Sequence, residues 1–145
     1  MKRREFLQLA AWAGMLPVGL RAAAPPAAEI MTVRGPRAAA ELGFVLPHEH
    51  VLVDFIGAAE VSPSRYDAGV AFAKIRPFLE EAKALGCATL FECTPAHLGR
   101  DPRLLARLSE ACGLNLVTNT GYYAARQNKF LPSHALVEDA EALAA

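Results

Sequence analysis

The sequence predicts an α/β fold in which helices cover a parallel β-sheet. Strand-like and helix-like segments alternate three times between residue 43 and the end of the chain. One of the strand-like segments, Cys87–Cys93, is a short and sharply bounded apolar run, which is typical of a strand buried on both faces of a sheet. Each connection between successive strands is also long enough for a right-handed crossover, so the strands are expected to run parallel.

Residues 1–24 have the three-part layout of a cleavable export signal. A basic start precedes an apolar stretch and a run of small residues, and the paired Arg3 and Arg4 resemble the bacterial twin-arginine signal. An ordinary secretory signal and a permanent anchor are the alternatives, although the apolar stretch is shorter than the roughly 20 residues that cross a bilayer. We therefore predict a signal and junction over residues 1–28, a domain over residues 29–145, no stable membrane anchor, and a periplasmic or extracellular location.

Two short apolar runs, Ile30–Val33 and Gly43–Leu46, follow the junction. Because turn-forming residues bound the first run, the two are predicted to pair as a small hairpin across residues 37–42. The second run leads into Pro47-His48-Glu49-His50, which we predict to end the first strand of the sheet.

A helical pattern begins at Asp67 and ends at Gly86. It predicts an amphipathic helix that Pro77 kinks or splits in two. Its apolar residues recur at spacings of two to four and are Val70, Phe72, Ile75, Phe78, Leu79, Ala82 and Leu85.

The clearest helix follows the apolar run Cys87–Cys93, which we predict to be a buried strand. Asp101 is placed as an N-cap, Pro102 occupies the first helical position, and Gly113 ends the helix. The inner stripe is formed by Leu104, Leu105 and Leu108.

The third strand-like run is Leu114–Thr118. A loop with two tyrosines follows it, and a last helix is predicted to begin at Ser133 or His134 and to continue to the end of the chain.

Composition favours a folded domain and disfavours nucleic acid as a partner. Hydrophobic residues make up 53% of the chain and the formal net charge is zero, so an apolar core is expected. Beyond the signal, basic residues are interleaved with acidic ones and form no patch that would follow a phosphate backbone. The three cysteines lie in apolar segments, so we predict buried thiols, with oxidation of one pair after export as the alternative.

His48 and His50 are the residues that most directly suggest chemistry. Alternate side chains of an extended segment share one face, about 7 Å apart at the backbone, so both imidazoles could bind one cation. Histidine nitrogen suits zinc and similar metals, and sites on parallel sheets collect at the carboxyl ends of the strands. The alternative is that both are satisfied core or rim residues.

Other polar residues lie near the ends of the predicted strands. Glu92 could orient a metal ligand through a hydrogen bond, or it could pair with an arginine. Arg100 and Asp101 are expected to form such a structural pair. His97 and His134 are expected to be solvated or capping residues.

Four segments, taken together, resemble the phosphotriesterase-like branch of the amidohydrolase superfamily. They are Thr32–Pro36 (TVRGP), Pro47–His50 (PHEH), Thr94–Asp101 (TPAHLGRD) and Thr118–Tyr123 (TNTGYY). The resemblance implies the N-terminal part of a (β/α)8 TIM barrel, about three βα units long and incomplete. It also implies that His48 and His50 bind the more buried of two divalent metals, usually zinc, whose bridging hydroxide attacks the substrate.

The resemblance further implies residues that this sequence does not contain. A bridging lysine or glutamate, two more histidines and a catalytic aspartate come from later strands of the family, so we expect the catalytic residues beyond residue 145. Tyr123 and Tyr122 are implied to form an aromatic wall of the substrate pocket, with coverage of the barrel rim as the alternative.

The leading functional hypothesis is therefore a zinc-type hydrolase. Its partners would be small lactones, carboxylic esters or organophosphates, and the resemblance leaves a homodimer open for the full-length protein. The alternatives are a truncated, inactive fragment and a non-catalytic exported zinc-binding protein.

Overall fold

The computed structural model describes residues 28–144, which form a two-stranded hairpin and a three-stranded sheet with helices packed against it. The predicted signal lies outside the described residues except for Ala28, so export stays a prediction. The strands are β1 (Glu29–Thr32), β2 (Gly35–Ala38), β3 (Phe44–Glu49), β4 (Cys87–Glu92) and β5 (Asn115–Thr118). The helices are α1 (Ala68–Ala84), α2 (Pro102–Cys112) and α3 (Ala140–Ala144), and a four-residue helical turn, Ala125–Asn128, lies between α2 and α3.

The hairpin differs from the predicted one. Strand β1 pairs antiparallel with β2, and the apolar run at residues 43–46 instead contributes to β3. The turn between β1 and β2 is closed by Thr32, whose Oγ1 donates to the Gly35 carbonyl and accepts the Arg34 N–H. Gly35 has a φ of 105°, a conformation that glycine adopts without strain. The hairpin predicted across residues 37–42 was therefore wrong, because the chain already reverses in a tighter turn between Thr32 and Gly35.

The sheet has the order β3–β4–β5, and both pairs of strands are parallel. This confirms the predicted α/β fold with a parallel sheet. The register of β3 against β4 shifts between Leu46 and Glu49, where Pro47 has no N–H to donate to a neighbouring strand. The end of β3, which carries the predicted ligands, is thus less regular than its start.

One apolar core joins the two long helices to the sheet. It is lined by Leu79 of α1, by the inner stripe of α2, and by buried residues of β4, β5 and the turn before β5. Helix α1 continues through Pro77 without being split, so that alternative of the prediction was wrong. Asp101, Pro102 and Gly113 begin and end α2 as predicted.

The last predicted helix was also wrong in extent. Residues Ser133–Leu136 form a 3-10 turn, and α3 begins only at Ala140. The Asp139 carboxylate accepts the N–H of Ala142, so this side chain starts a new helix instead of continuing the earlier turn. Within residues 28–144, no helix has both the length and the apolar character needed to cross a membrane.

Candidate metal and substrate site

His48 and His50 lie where β3 ends beside β4. His48 is within β3, and His50 follows its last residue, Glu49, whose carbonyl accepts the Cys93 N–H at 2.8 Å. The centroids of the two imidazole rings are 5.3 Å apart, and their planes make an angle of 81°. A cation bound to an imidazole nitrogen lies about 3.2 Å from the centre of that ring, so this spacing admits one cation shared by both rings. Both side chains are exposed, so solvent ions can reach them.

The two histidines do not by themselves complete a metal site. Residues 28–144 contain no cluster of three or more His, Cys, Asp or Glu side chains arranged to hold a metal ion. Imidazole nitrogen is nevertheless a donor that zinc and related cations prefer, so the two histidines fit as part of the ligand set of such an ion.

His50 is oriented by the start of the loop after β4. Its Nδ1 lies 3.0 Å from the hydroxyl oxygen of Thr94, which is fully buried. When Nδ1 carries the proton, it donates to this oxygen and Nε2 keeps its lone pair for a cation.

Glu92 supports the same loop from inside the protein. Its side chain is only 2% exposed, and its Oε1 accepts the backbone N–H groups of Val51 and Thr94. Val51 directly follows His50 in the chain, and Thr94 is the residue whose hydroxyl contacts the His50 ring. The Oε2 atom of Glu92 is buried and has no hydrogen-bond partner. The alternative pairing of Glu92 with an arginine is not observed among the ion pairs of the described residues.

The expected pair between Arg100 and Asp101 is also not formed. Arg100 donates to the backbone carbonyl of Asn119, whereas Asp101 accepts from the Tyr66 hydroxyl and from the first N–H groups of α2. That prediction was wrong because the cap geometry of α2 turns the Asp101 carboxylate away from its neighbour.

A cavity of about 470 Å³ opens beside the two histidines. Tyr123 lines it together with Phe55, Cys93 and Pro95. The Tyr123 ring stacks on buried Phe130, with centroids 5.8 Å apart and an angle of 25° between the planes. The cavity is thus mostly apolar with a few polar groups, which is the usual character of a small-molecule pocket.

A larger cavity of about 600 Å³ lies between β3 and α1 and also touches His50. Most of its lining consists of apolar side chains that pack against the core, such as Leu46, Ile75 and Leu79. We regard it as a loosely filled gap between sheet and helix, because only the smaller cavity brings both histidines and Tyr123 together.

Tyr122 does not line the cavity that contains the two histidines. Its hydroxyl lies 2.9 Å from Nε2 of His134, and its ring packs beside His97. His97 is half-buried and lies in this aromatic cluster, whereas His134 is exposed. Burial lowers the pKa of His97 below its usual value, and the nearby His134 and Arg100 lower it further.

Sequence reasoning missed Thr94 and Phe130. Thr94 had a usable signal, because it lies two residues after Glu92 and so follows the alternation of an extended chain into the same region. Phe130 had none. It lies beyond a left-handed turn at Arg126, Gln127 and Asn128, and no periodic pattern predicts where such a turn directs the chain.

The arrangement defines the chain as a parallel α/β protein with a histidine-lined site at the carboxyl ends of its strands. Comparison with known proteins then identifies the family. The sequence model of the phosphotriesterase family matches residues 28–144, so the chain belongs to that family. This confirms the resemblance seen in the four sequence segments.

Individual relatives agree with this assignment. A protein of Mycobacterium tuberculosis described as a phosphotriesterase homology protein is 40% identical over 98 residues, which cover 66% of this chain. The organophosphorus hydrolase of Deinococcus radiodurans is 36% identical, with a TM-score of 0.57 over 70% of this chain and 32% of its own. A protein engineered for organophosphate hydrolysis from a weak promiscuous lactonase template is 34% identical, with a TM-score of 0.65 over 79% of this chain and 36% of its own. The chain spans 29% of the length of the mycobacterial relative.

Proposed function

We propose that this chain provides part of the metal site and substrate pocket of a hydrolase that cleaves lactones, carboxylic esters or phosphotriesters. The observation that carries the proposal is the pairing of His48 and His50 beside a cavity that Tyr123 also lines. The family membership and the names of two structural neighbours, a hydrolase of organophosphorus compounds and a derivative of a lactonase, support the same class of reaction. We further propose that the three described strands belong to a (β/α)8 barrel.

In this proposal, His48 and His50 hold a divalent metal, with zinc as the expected ion. A bound zinc ion would act as a Lewis acid that polarises the substrate and acidifies water. The chain's own contribution is to fix the ligands. Thr94 holds the direction of the His50 ring, and the Glu92 carboxylate accepts the backbone N–H groups of Val51 and Thr94 beside it.

Tyr123 would provide one wall of the substrate pocket. Its ring is held by Phe130, which is 1% exposed and which also meets Phe55 edge-on at 5.9 Å. A wall supported in this way presents a flat apolar face with a hydroxyl at its edge, and this shape suits an ester or lactone ring.

The test measures zinc binding and hydrolysis on the same preparation of the full chain. Equilibrium dialysis should show that His48→Ala and His50→Ala each bind one zinc ion fewer per chain than the unsubstituted chain, and that Glu92→Gln weakens the binding of this ion about 10- to 100-fold. Zinc-dependent turnover of a lactone, an aryl ester or a phosphotriester would support the hydrolase. Zinc binding that is insensitive to both histidine substitutions would overturn the proposed site.

A second candidate function is a non-catalytic zinc-binding protein, which the exposed pair His48 and His50 also supports. It predicts zinc binding that depends on His48 and His50 without turnover of any of the three substrates. Circular dichroism of each variant, compared with the unsubstituted chain, separates loss of a ligand from loss of the fold.

A further inference from the structure

A second group of nitrogen and oxygen donors does not line the cavity of His48 and His50. It consists of His97 after β4, Tyr122 after β5 and His134 in the last 3-10 turn. The centroids of the three rings form a nearly equilateral triangle, with separations of 5.7, 6.0 and 5.9 Å. Three chain segments that are distant in sequence therefore bring their aromatic donors to one place.

One donor-atom distance and the ring spacings are compatible with ligands on one metal ion. The Tyr122 hydroxyl oxygen and His134 Nε2 are 2.9 Å apart. Two donors at roughly 2.0 to 2.1 Å from a metal are separated by about 2.9 Å when the angle between their bonds is about 90°. The 6.0 Å between the two imidazole centroids leaves space for a cation about 3.2 Å from each centre, as for His48 and His50.

Solvent access and the neutral form of His97 also allow a cation here. His134 is exposed and Tyr122 is 41% exposed, so an ion can reach both from solvent. Burial lowers the pKa of His97, which favours the neutral imidazole with a lone pair that can bind a cation. Arg100 is the nearby positive charge. Its guanidinium donates to the Asn119 carbonyl, and its charge contributes to the lowered pKa of His97.

We propose that His97, Tyr122 and His134 form a second binding site for a divalent transition metal, with Cu²⁺ as the ion that binds most tightly. Copper heads the affinity order of divalent ions for sites made of nitrogen and oxygen donors. On binding, the phenol O–H bond of Tyr122 breaks, its proton passes to solvent, and the phenolate oxygen bonds to the metal. The oxidation state of the metal does not change.

The test uses the full chain without a histidine tag and titrates it with CuCl2. A phenolate bound to Cu²⁺ gives a visible charge-transfer absorption that neither imidazole nor a hydrogen-bonded phenol produces. We expect this absorption in the unsubstituted chain, together with release of one proton for each ion bound at this site. Tyr122→Phe should abolish the absorption, and His134→Ala should weaken copper binding at this site by more than about tenfold.

Matched variants distinguish the new site from the first one. Tyr123→Phe and His48→Ala should leave the absorption unchanged, because these residues lie at the other cavity. Absorption that depends on Tyr123 instead of Tyr122, or the absence of any absorption at saturating copper, would overturn the proposal. Tyr122→Phe keeps the ring that packs beside His97, so a folded variant is expected and circular dichroism verifies it.

Discussion

Helices α1 and α2 pack beside each other against one core, but they bury different numbers of residues in it. Helix α2 has 11 residues and buries five of them, whereas α1 has 17 residues and buries only Leu79. The shorter helix, α2, therefore contributes more residues to the core. Removing a core side chain from α2 should destabilise the protein more than removing one from α1.

The low burial of α1 arises from how its apolar residues are arranged around the helix axis, and not from how many it contains. In α1, Phe72, Ile75, Leu79 and Ala82 follow the spacing of three and four that keeps side chains on one helical face, and these residues pack against the core. The other apolar residues, Val70, Phe78 and Leu85, are offset from this face and are 66 to 82% exposed. A count of hydrophobic residues thus overestimates how firmly α1 is anchored.

The largest effect is expected from Leu108→Ala in α2. Leu108 is fully buried, so the substitution removes apolar contacts and leaves a cavity, and the free energy of unfolding should fall by about 2 to 5 kcal/mol. Urea unfolding of the full chain measures it. Leu79→Ala in α1 is the matched variant and should cost less, because Leu79 is 7% exposed. An equal or larger loss for Leu79→Ala would contradict the comparison between the helices.

A smaller effect is expected at the caps of the two helices. Asp101 accepts the N–H groups of Arg103 and Leu104 and the hydroxyl of Tyr66, whereas Asp67 of α1 is exposed and accepts only the Val70 N–H. Asp101→Ala should therefore destabilise the protein by about 1 to 2 kcal/mol and Asp67→Ala by about 0.5 kcal/mol. Thermal unfolding at neutral pH measures both, and the reverse order would show that the α1 cap matters more.

The same cap predicts a pH dependence. Burial disfavours the charged Asp101, but the hydrogen bonds from Tyr66 and from the two backbone N–H groups outweigh it and hold the pKa below its usual value. Because the pKa is lower in the folded than in the unfolded chain, this stabilisation is complete above about pH 3.9 and is lost as the pH falls through the folded value. Asp101→Asn keeps a capping oxygen without a titration, so its deficit relative to the unsubstituted chain should shrink below about pH 4. Parallel stability profiles would contradict the assignment.

The features that the sequence could predict are those set by residues close together in the chain. The start and end of α2 were predictable, because Asp101, Pro102 and Gly113 act within a single turn of their own positions. Strand β4 was also predictable, because a short, mostly apolar run with sharp bounds is typical of a buried parallel strand. The hairpin was not predictable, because two segments close in sequence could pair with β1. The tight turn before Gly35 favours β2.

The candidate site shows the same limit. The proximity of the His48 and His50 rings followed from the alternation of an extended chain. The separation of Tyr122 from Tyr123 did not, because it depends on where the left-handed turn at residues 126–128 sends the chain and on contacts with Phe130 and His134. Adjacent residues of one motif thus lie in two different clusters.

The smallest effect is expected from Val70→Ala on the exposed side of α1. Val70 is 66% exposed, and alanine favours helix more than valine does, so the free energy of unfolding should change by no more than about 0.5 kcal/mol. Phe72→Ala is the matched control, because Phe72 packs against the core beneath the guanidinium of Arg107. Its cost should be about 2 kcal/mol by urea unfolding. Equal costs at these positions would mean that both faces of α1 are buried, and the contrast with α2 would disappear.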